Sequence, residues 1–196
     1  MEKIFCLTGK SGTGKDTLAA RLLARSELGL RKLVIYTTRP RRPEERDGEV
    51  YHFVTEAALE ALEARYAVLE KRVYQTVHGP WTYCTLEDAA LLDAPHWLAI
   101  TPLPALAPYT ARLGAERVVP LYIEVPDKQR LLRAVERESL AALPSYSEVC
   151  RRYLADETDF SEEALRAAGV TQRFVNDSLE ACAAKLAAAV ASFVTR

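Results

Sequence analysis

The feature that most constrains the fold is a glycine-rich segment near the start of the chain, Gly9-Lys10-Ser11-Gly12-Thr13-Gly14-Lys15-Asp16-Thr17. It follows the apolar run at residues 4–7 and precedes a helical pattern at residues 18–25. Glycines let successive backbone N–H groups turn inward around an anion, and the positive end of the following helix adds to the attraction. The spacing G-x-x-x-x-G-K between a strand and a helix predicts a P-loop, with Lys15 reaching the β- and γ-phosphates of a nucleotide. The alternative is a glycine-rich turn that contains a lysine by chance.

The residue after the P-loop lysine departs from the usual motif. The motif has Ser or Thr there to hold Mg²⁺, whereas this chain has Asp16, followed by Thr17. Either Thr17 supplies the hydroxyl, or the carboxylate of Asp16 contacts the metal or its waters. A third interpretation gives Asp16 no metal, because an acidic residue in the first turn of a helix complements the helix dipole.

Further apolar runs predict a parallel sheet. They lie at residues 33–36, 97–100, 118–125 and 173–175, and helical patterns separate them. This alternation is typical of repeated right-handed β-α-β units. The fold class is therefore α/β, with a five-stranded parallel sheet flanked by helices. The final helix carries its apolar residues on one face, with Ser178 as its N-cap: Leu179, Cys182, Leu186, Val190 and Phe193.

Composition restricts the partners and the location. The 196 residues fit one domain, and 26 Lys and Arg against 27 Asp and Glu leave no basic field for nucleic acid or an anionic membrane. Four cysteines without C-x-x-C spacing indicate reduced thiols. The first apolar run is too short for a signal peptide or a membrane span, so a cytoplasmic protein is expected. Nothing in the sequence indicates the oligomeric state.

An arginine-rich segment follows the second predicted strand. It reads Thr37-Thr38-Arg39-Pro40-Arg41-Arg42-Pro43-Glu44-Glu45-Arg46-Asp47-Gly48-Glu49-Val50-Tyr51-His52-Phe53. Two guanidinium groups three residues apart and a phenol suit a dianionic phosphate; a solvated basic loop is the alternative interpretation. The segment resembles the T-T-R-x-x-R-x-x-E-x-x-G-x-x-Y-x-F pattern of guanylate kinases, with matches at Arg39, Arg42, Glu45, Gly48, Tyr51 and Phe53.

The resemblance implies an activity and a set of site residues. The activity is transfer of a phosphoryl group from ATP, with Mg²⁺, to GMP. It implies that GMP is bound by Arg39, Arg42, Tyr51, Glu70, Tyr83 and Thr85. It implies that ATP is bound by Gly9, Lys10, Ser11, Gly12, Thr13, Gly14, Lys15, Asp16, Thr17 and Asn176, with Thr17 as the metal ligand. It implies that the catalytic cations are Lys15, Arg133, Arg137 and Arg152. For each of the three arginines, the alternative interpretation is a solvated charge on a helix.

The same resemblance predicts how one guanylate-kinase-like domain, residues 1–196, is organised. The core comprises residues 1–36, 86–137 and 148–196, interrupted by a nucleoside-monophosphate-binding insertion at residues 37–85 and a lid at residues 138–147. The insertion is expected to contain a hairpin that turns at His78-Gly79-Pro80. Glu70 is expected to accept hydrogen bonds from N1–H and the 2-amino group of guanine, although the interval from Glu70 to Tyr83 is longer than in the family.

Two departures keep other functions open. Ala99 and Thr101 stand where the family has carboxylates on the third core strand, and the G-R-G signature of the lid is missing. One alternative is a kinase of another phosphorylated acceptor, such as ribose 1,5-bisphosphate, whose enzymes share the G-K-D variant of the P-loop. Another is a catalytically inactive, guanylate-kinase-like binding module, which ATP binding would distinguish.

Overall fold

The structure is a computed structural model that describes residues 2–43, 45–76, 79–88, 96–140 and 143–194. These residues form the following strands and helices: β1 Lys3–Thr8, α1 Lys15–Leu23, β2 Leu30–Lys32, β3 Tyr36–Thr37, β4 His52–Phe53, α2 Glu56–Glu63, β5 Ala67–Thr76, β6 Gly79–Glu87, β7 His96–Ile100, α3 Leu106–Leu113, β8 Val118–Glu124, α4 Asp127–Ser139, α5 Tyr146–Asp159, α6 Glu162–Ala167, β9 Arg173–Val175 and α7 Leu179–Val194.

A five-stranded parallel sheet forms the centre of the molecule, in the order β2-β7-β1-β8-β9. The predicted α/β class and five-stranded parallel sheet are therefore confirmed. Strand β1 is buried on both faces because its side chains alternate between two cores. Phe5 and Leu7 pack against helices α1 and α7, whereas Ile4 and Cys6 face the side covered by helices α3 and α6.

A second sheet of four strands, in the order β4-β3-β6-β5, lies between residues 36 and 87. Its longest part is the antiparallel pair β5–β6, which is in register from Glu70 opposite Thr85 to Thr76 opposite Gly79. The hairpin predicted near Gly79 fits this pairing, but residues 77 and 78 lie outside the described residues. This sheet forms one wall of the cleft described below.

One predicted core strand is wrong. The apolar run at residues 33–36 is not a strand of the parallel sheet, which instead takes β2 three residues earlier. After Leu33, whose N–H donates to the carbonyl of Leu98, the chain leaves the parallel sheet and Tyr36 enters the second one. The apolar run therefore marks a crossing between two sheets, whereas β2, with Arg31 and Lys32 exposed, is an edge strand without a continuous apolar pattern.

The other predicted core strands and the final helix are present. Strands β7, β8 and β9 lie where the apolar runs placed them, and Cys182, Leu186 and Val190 of helix α7 are buried on one face. All four cysteines are free thiols. Within the described residues, no helix combines the length and the apolar character that crossing a membrane requires.

Candidate active site

The loop between β1 and α1 has the conformation that its glycines make possible. Gly12 and Gly14 have φ angles of +81° and +84°, in the left-handed region that disfavours other residues. A Cβ atom on Gly12 would lie 2.7 Å from the carbonyl oxygen of Arg130, and one on Gly14 would lie 2.9 Å from Nδ2 of Asn176. The loop is thus packed closely between helix α4 and the end of strand β9.

Lys15 folds back over this loop at the start of helix α1. Its Nζ donates to the carbonyl oxygens of Gly9, at 2.7 Å, and Lys10, at 2.9 Å. Burial lowers the pKa of Lys15, while the nearby carboxylates of Asp16 and Asp156 act in the opposite direction. The arrangement holds one ammonium group at the mouth of the loop, where it can meet phosphate oxygens.

Asn176 supports the loop from the other side. Its Nδ2 donates to the carbonyl oxygen of Thr13 at 2.8 Å, and its backbone N–H donates to the carbonyl oxygen of Glu124. The side chain is buried. This contact ties the loop to the ends of strands β8 and β9, and a direct contact between Asn176 and ATP stays a prediction.

Arg130 on helix α4 is a buried charge beside the loop, with 1% of its side chain exposed. Its guanidinium group donates to Asp127 at 2.6 Å, to Asp156 at 3.3 Å and to Glu157. It also lies 4.0 Å from the ring centroid of Tyr153. Three carboxylates and an aromatic face thus offset the cost of burying this charge, and the interaction joins helices α4 and α5.

The acidic residues of helix α5 reach the loop itself. The carboxylate of Asp156 accepts a hydrogen bond from the backbone N–H of Ser11 at 2.7 Å. Next to it, Glu157 accepts from Nζ of Lys10 at 2.7 Å. A carboxylate is thus hydrogen-bonded to one of the backbone N–H groups that a P-loop offers to phosphate.

An open cleft of about 810 Å³ runs between the second sheet and helix α5. Its walls include the predicted acceptor residues Arg42, Tyr51 and Tyr83. A neighbouring recess is lined by Ser11 and Lys15 of the loop. Residues common to the two form a continuous path from the loop to the acceptor side: Tyr74, Ile100, Pro102, Arg151 and Arg152.

Arg39 is placed differently from Arg42. It is 6% exposed, and its NH2 group donates to both carboxylate oxygens of Glu45, at 2.7 and 2.9 Å. Its guanidinium group also lies 5.5 Å from the ring centroid of Tyr51 and 5.4 Å from that of Phe53. Glu45 accepts in addition from the backbone N–H of Arg42 at 2.9 Å. The pair therefore fixes the arginine-rich loop, and a phosphate contact by Arg39 stays a prediction.

Glu70 and Thr85 lie opposite each other at the inner end of the β5–β6 pair. Both are buried. Glu70 accepts a hydrogen bond from Nε of Arg72, and burial raises its pKa while that arginine lowers it. The hydroxyl of Thr85 is 2.7 Å from the hydroxyl of Tyr109. Arg72, rather than Glu70, is among the residues that line the cleft.

Comparison with known proteins agrees with this geometry. The family model for guanylate kinase matches residues 1–83. A guanylate kinase of Neisseria gonorrhoeae is 37% identical over 123 residues, which cover 63% of this chain and 58% of the relative. One from Porphyromonas gingivalis is 25% identical over the full length of both chains. A crystal structure of guanylate kinase from Anaplasma phagocytophilum superposes with a TM-score of 0.68 at 20% identity, covering 100% of this chain and 87% of the other.

The chain is similar to guanylate kinases in sequence and in fold. The match is concentrated in its first part. The chain spans only 58% of the length of the N. gonorrhoeae relative and 42% of that of a guanylate kinase from Neisseria meningitidis serogroup A. The family therefore accounts best for the P-loop, the arginine-rich loop and the strands that support them.

Two of the three arginines that the family resemblance implicates in catalysis lie near the P-loop. Arg137 and Arg152 line a recess together with Ser11, and Arg137 is close enough to Lys15 to lower its pKa. Arg133 is exposed on helix α4. The structure thus brings Arg137 and Arg152 to the loop, while the catalytic role of each of the three stays a prediction.

This chain lacks the carboxylates that guanylate kinases have on the third core strand, and a different set of oxygen atoms lies beside the loop. Ala99 and Thr101 are buried at the carboxyl end of β7. Within the described residues, the hydroxyls of Thr8 and Thr101 are buried and without a hydrogen-bond partner. Asp16 and Thr17 are exposed in the first turn of α1. These are hard oxygen donors of the kind that Mg²⁺ prefers.

Sequence reasoning missed Arg130, Asp156 and Arg72, and it missed the ion pair that Glu45 forms with Arg39. For the first two, the helical pattern of charges is the same as that of a solvated helix, so no local signal distinguishes them. Glu45 belongs to the resemblance, but a separation of six residues within a loop gives no signal that it pairs with Arg39. Arg72 follows Glu70 by two residues, and strand alternation places both on one face of β5.

Proposed function

We propose that this protein catalyses the ATP-dependent phosphorylation of GMP to GDP. The observation that carries the proposal is the continuous path from Lys15 in the P-loop recess to Arg42 in the neighbouring cleft. Similarity to guanylate kinases supports ATP as the donor and GMP as the acceptor. A binding module would not require the loop geometry around Gly12 and Gly14, which serves to hold phosphates.

Direct in-line transfer fits the residues present. A phosphate oxygen of GMP attacks the γ-phosphorus of ATP, the bond from that phosphorus to the bridging oxygen breaks, and ADP leaves. Lys15 holds the β- and γ-phosphates, and Arg42, Tyr51 and Tyr83 hold the acceptor phosphate. Because a phosphate oxygen is already a nucleophile, positioning and neutralisation of charge suffice, and no covalent enzyme intermediate is needed.

Cations between the two recesses neutralise the transferring group. Arg152 lines both recesses, and Arg137 lies beside Ser11. Charge that develops on the γ-phosphoryl group is stabilised by such donors, each worth on the order of 10²-fold or more in rate. Arg133 is exposed on the same helix as Arg137. It would contact the transferring group only if the α4–α5 region closed over the site.

Mg²⁺ would be held mainly by the phosphates of ATP, where it neutralises their charge. The described residues contain no group of three His, Cys, Asp or Glu side chains arranged to hold a metal ion. Thr17, as the first hydroxyl-bearing residue after the P-loop lysine, would be the protein ligand, and Asp16 would hold metal-bound waters. Both roles use oxygen atoms that Mg²⁺ accepts.

The test is a coupled assay of ADP release with ATP, Mg²⁺ and one acceptor at a time. The acceptors are GMP, dGMP, AMP, UMP, CMP and ribose 1,5-bisphosphate. The proposal expects turnover with GMP or dGMP at least about tenfold above that with the other acceptors, as a pocket that pairs with the base edge should give. Turnover with another acceptor would replace GMP as substrate, and no turnover with any acceptor, together with measured ATP binding, would reject the proposed enzyme activity.

A further inference from the structure

The cleft-facing side of strand β5 carries Glu70, Arg72 and Tyr74, because alternate residues of a strand share a face. In the antiparallel partner they lie opposite Thr85, Tyr83 and Trp81. Arg72, Tyr74, Tyr83 and Trp81 line the cleft. Glu70 is therefore the innermost of the three β5 residues, and Arg72 stands between it and the open part of the cleft.

Glu70 is enclosed behind this arginine. Its side chain is 3% exposed, and one carboxylate oxygen accepts from Nε of Arg72. The other oxygen, Oε2, is buried and has no hydrogen-bond partner among the described residues. A purine entering the cleft therefore meets the guanidinium group before it can meet the carboxylate.

Arg72 is held in that position by contacts with two tyrosines. Its NH1 group donates to the hydroxyl of Tyr74 at 3.1 Å, and its guanidinium carbon lies 5.9 Å from the ring centroids of both Tyr74 and Tyr83. A guanidinium group has five N–H donors and no acceptor. The bonds to Glu70 and Tyr74 use two of them, which leaves three hydrogens of the NH1 and NH2 groups for a ligand, and 21% of the side chain is exposed.

We propose that Arg72 recognises the acceptor base, by donating to O6 and N7 of guanine, while Glu70 orients Arg72 from behind. This inference rests on the proposed function. Guanine presents two acceptors on that edge, which match a donor fork, whereas adenine presents the donor N6–H₂ in place of O6. Arg72 therefore selects guanine over adenine and does not contact the 2-amino group.

Recognition by Glu70 would give the opposite dependence on the base. A carboxylate pairs with N1–H and the 2-amino group, so it would discriminate against IMP, whose base lacks that amino group. It would be indifferent to 7-deaza-GMP, which lacks only the N7 acceptor. Recognition by Arg72 predicts tolerance of IMP and discrimination against 7-deaza-GMP.

The experiment measures the dissociation constants of GMP, IMP and 7-deaza-GMP for the intact protein by calorimetry, which does not depend on turnover. We expect IMP to bind within about threefold of GMP. We expect 7-deaza-GMP to bind about tenfold more weakly, because the loss of one bond of the bidentate pair leaves a guanidinium donor unpaired. Weak binding of IMP together with full binding of 7-deaza-GMP would overturn the inference.

A variant and its control provide a second test. Arg72→Lys keeps a positive charge next to Glu70 but removes the fork, and we expect the preference for GMP over AMP to fall about tenfold. Arg65→Lys makes the same change at an exposed site just before β5 and should leave the preference unchanged. An unchanged preference in Arg72→Lys would reject the inference. Binding of GMP without turnover would reject only the proposed activity, and absence of GMP binding would reject both.

Discussion

The backbone N–H of Ser11 donates a 2.7 Å hydrogen bond to Oδ2 of Asp156, so that a carboxylate of helix α5 lies on the P-loop. Asp156 is also 3.3 Å from NH1 of the buried Arg130. Both donors, a loop N–H and an arginine, are of the kind that binds phosphate. Asp156 thus occupies part of the site that is proposed for the phosphates of ATP.

Neutralising Asp156 should therefore strengthen ATP binding. We expect Asp156→Asn to lower the KM for ATP about three- to tenfold, because a hydrogen bond to a charged acceptor contributes more than one to a neutral acceptor. Steady-state kinetics with GMP held at saturation measure this. Asp159→Asn serves as the control. It removes the same charge from the same helix and the same recess, but it leaves the hydrogen bond between Ser11 and Asp156 in place. A fall in kcat with an unchanged KM would instead place Asp156 in the catalytic step.

Arg130 should contribute strongly to stability. It is buried, and it joins helices α4 and α5 through Asp127, Asp156 and Glu157. Removing this buried side chain leaves the largely buried carboxylate of Asp156 without its arginine and breaks the link between the two helices, so we expect Arg130→Ala to lower the free energy of unfolding by about 3 kcal/mol. Urea unfolding measures the difference. Lys128→Ala, on the exposed side of the same helix, is expected to change it by no more than about 0.5 kcal/mol.

The sequence predicts the parallel sheet and the P-loop because both depend on local patterns. Apolar runs mark β1, β7, β8 and β9, and the glycine spacing marks a loop whose backbone must adopt positive φ angles. The run at residues 33–36 predicts the wrong sheet, because an apolar stretch does not indicate which sheet it joins. The positions of Arg130 and Asp156 depend on the packing of two helices, which charge patterns along a single helix do not specify.

The contacts within the acceptor cleft are also only partly predictable from the sequence. Arg42, Tyr51 and Tyr83, which the resemblance implicates in acceptor binding, line one cleft, and their contact with an acceptor stays a prediction. The motif does not indicate that Glu45 would engage Arg39, or that Arg72 would stand in front of Glu70. Which ion pairs form is decided in the folded protein, and it depends on the lengths of the arginine-rich loop and of the β5–β6 hairpin.

Lys15 should be required for turnover and not for folding. Lys15→Ala removes the ammonium group that lies 2.7 Å from the carbonyl oxygen of Gly9, at the mouth of the loop. We expect kcat to fall by at least about 100-fold, since a preorganised donor to developing charge contributes on this order. The ADP-release assay measures the loss, and circular dichroism checks the fold. Unchanged turnover would remove the P-loop from the mechanism.

Arg42 should act on the acceptor and not on ATP. It lines the cleft beside the second sheet, so we expect Arg42→Ala to raise the KM for GMP about tenfold or more, which corresponds to the loss of a charged hydrogen bond. Arg41→Ala provides the control, because Arg41 is exposed and donates to the backbone carbonyl oxygen of Glu45. If only the KM for ATP changed, the acceptor would not bind where the cleft places it.

Glu148 should make stability depend on acidic pH. It accepts from Nε and NH2 of Arg151 and from Nε of Arg152, and these bonds lower its pKa from 4.5 to about 2. A carboxyl group with a depressed pKa in the folded state stabilises the protein above the pKa of the unfolded chain. That stabilisation is lost as the pH falls through the folded value.

The urea midpoint of the wild type should therefore exceed that of Glu148→Gln at pH 6, and the difference should decrease between pH 4.5 and about 2. The side chain is 36% exposed, so solvent and salt reduce the effect, which should be largest at low ionic strength. Glu60→Gln, exposed on helix α2, is the matched control. A difference that stays constant down to pH 2 would show that Glu148 acts through packing, and the two arginines would then be held at the cleft by other contacts.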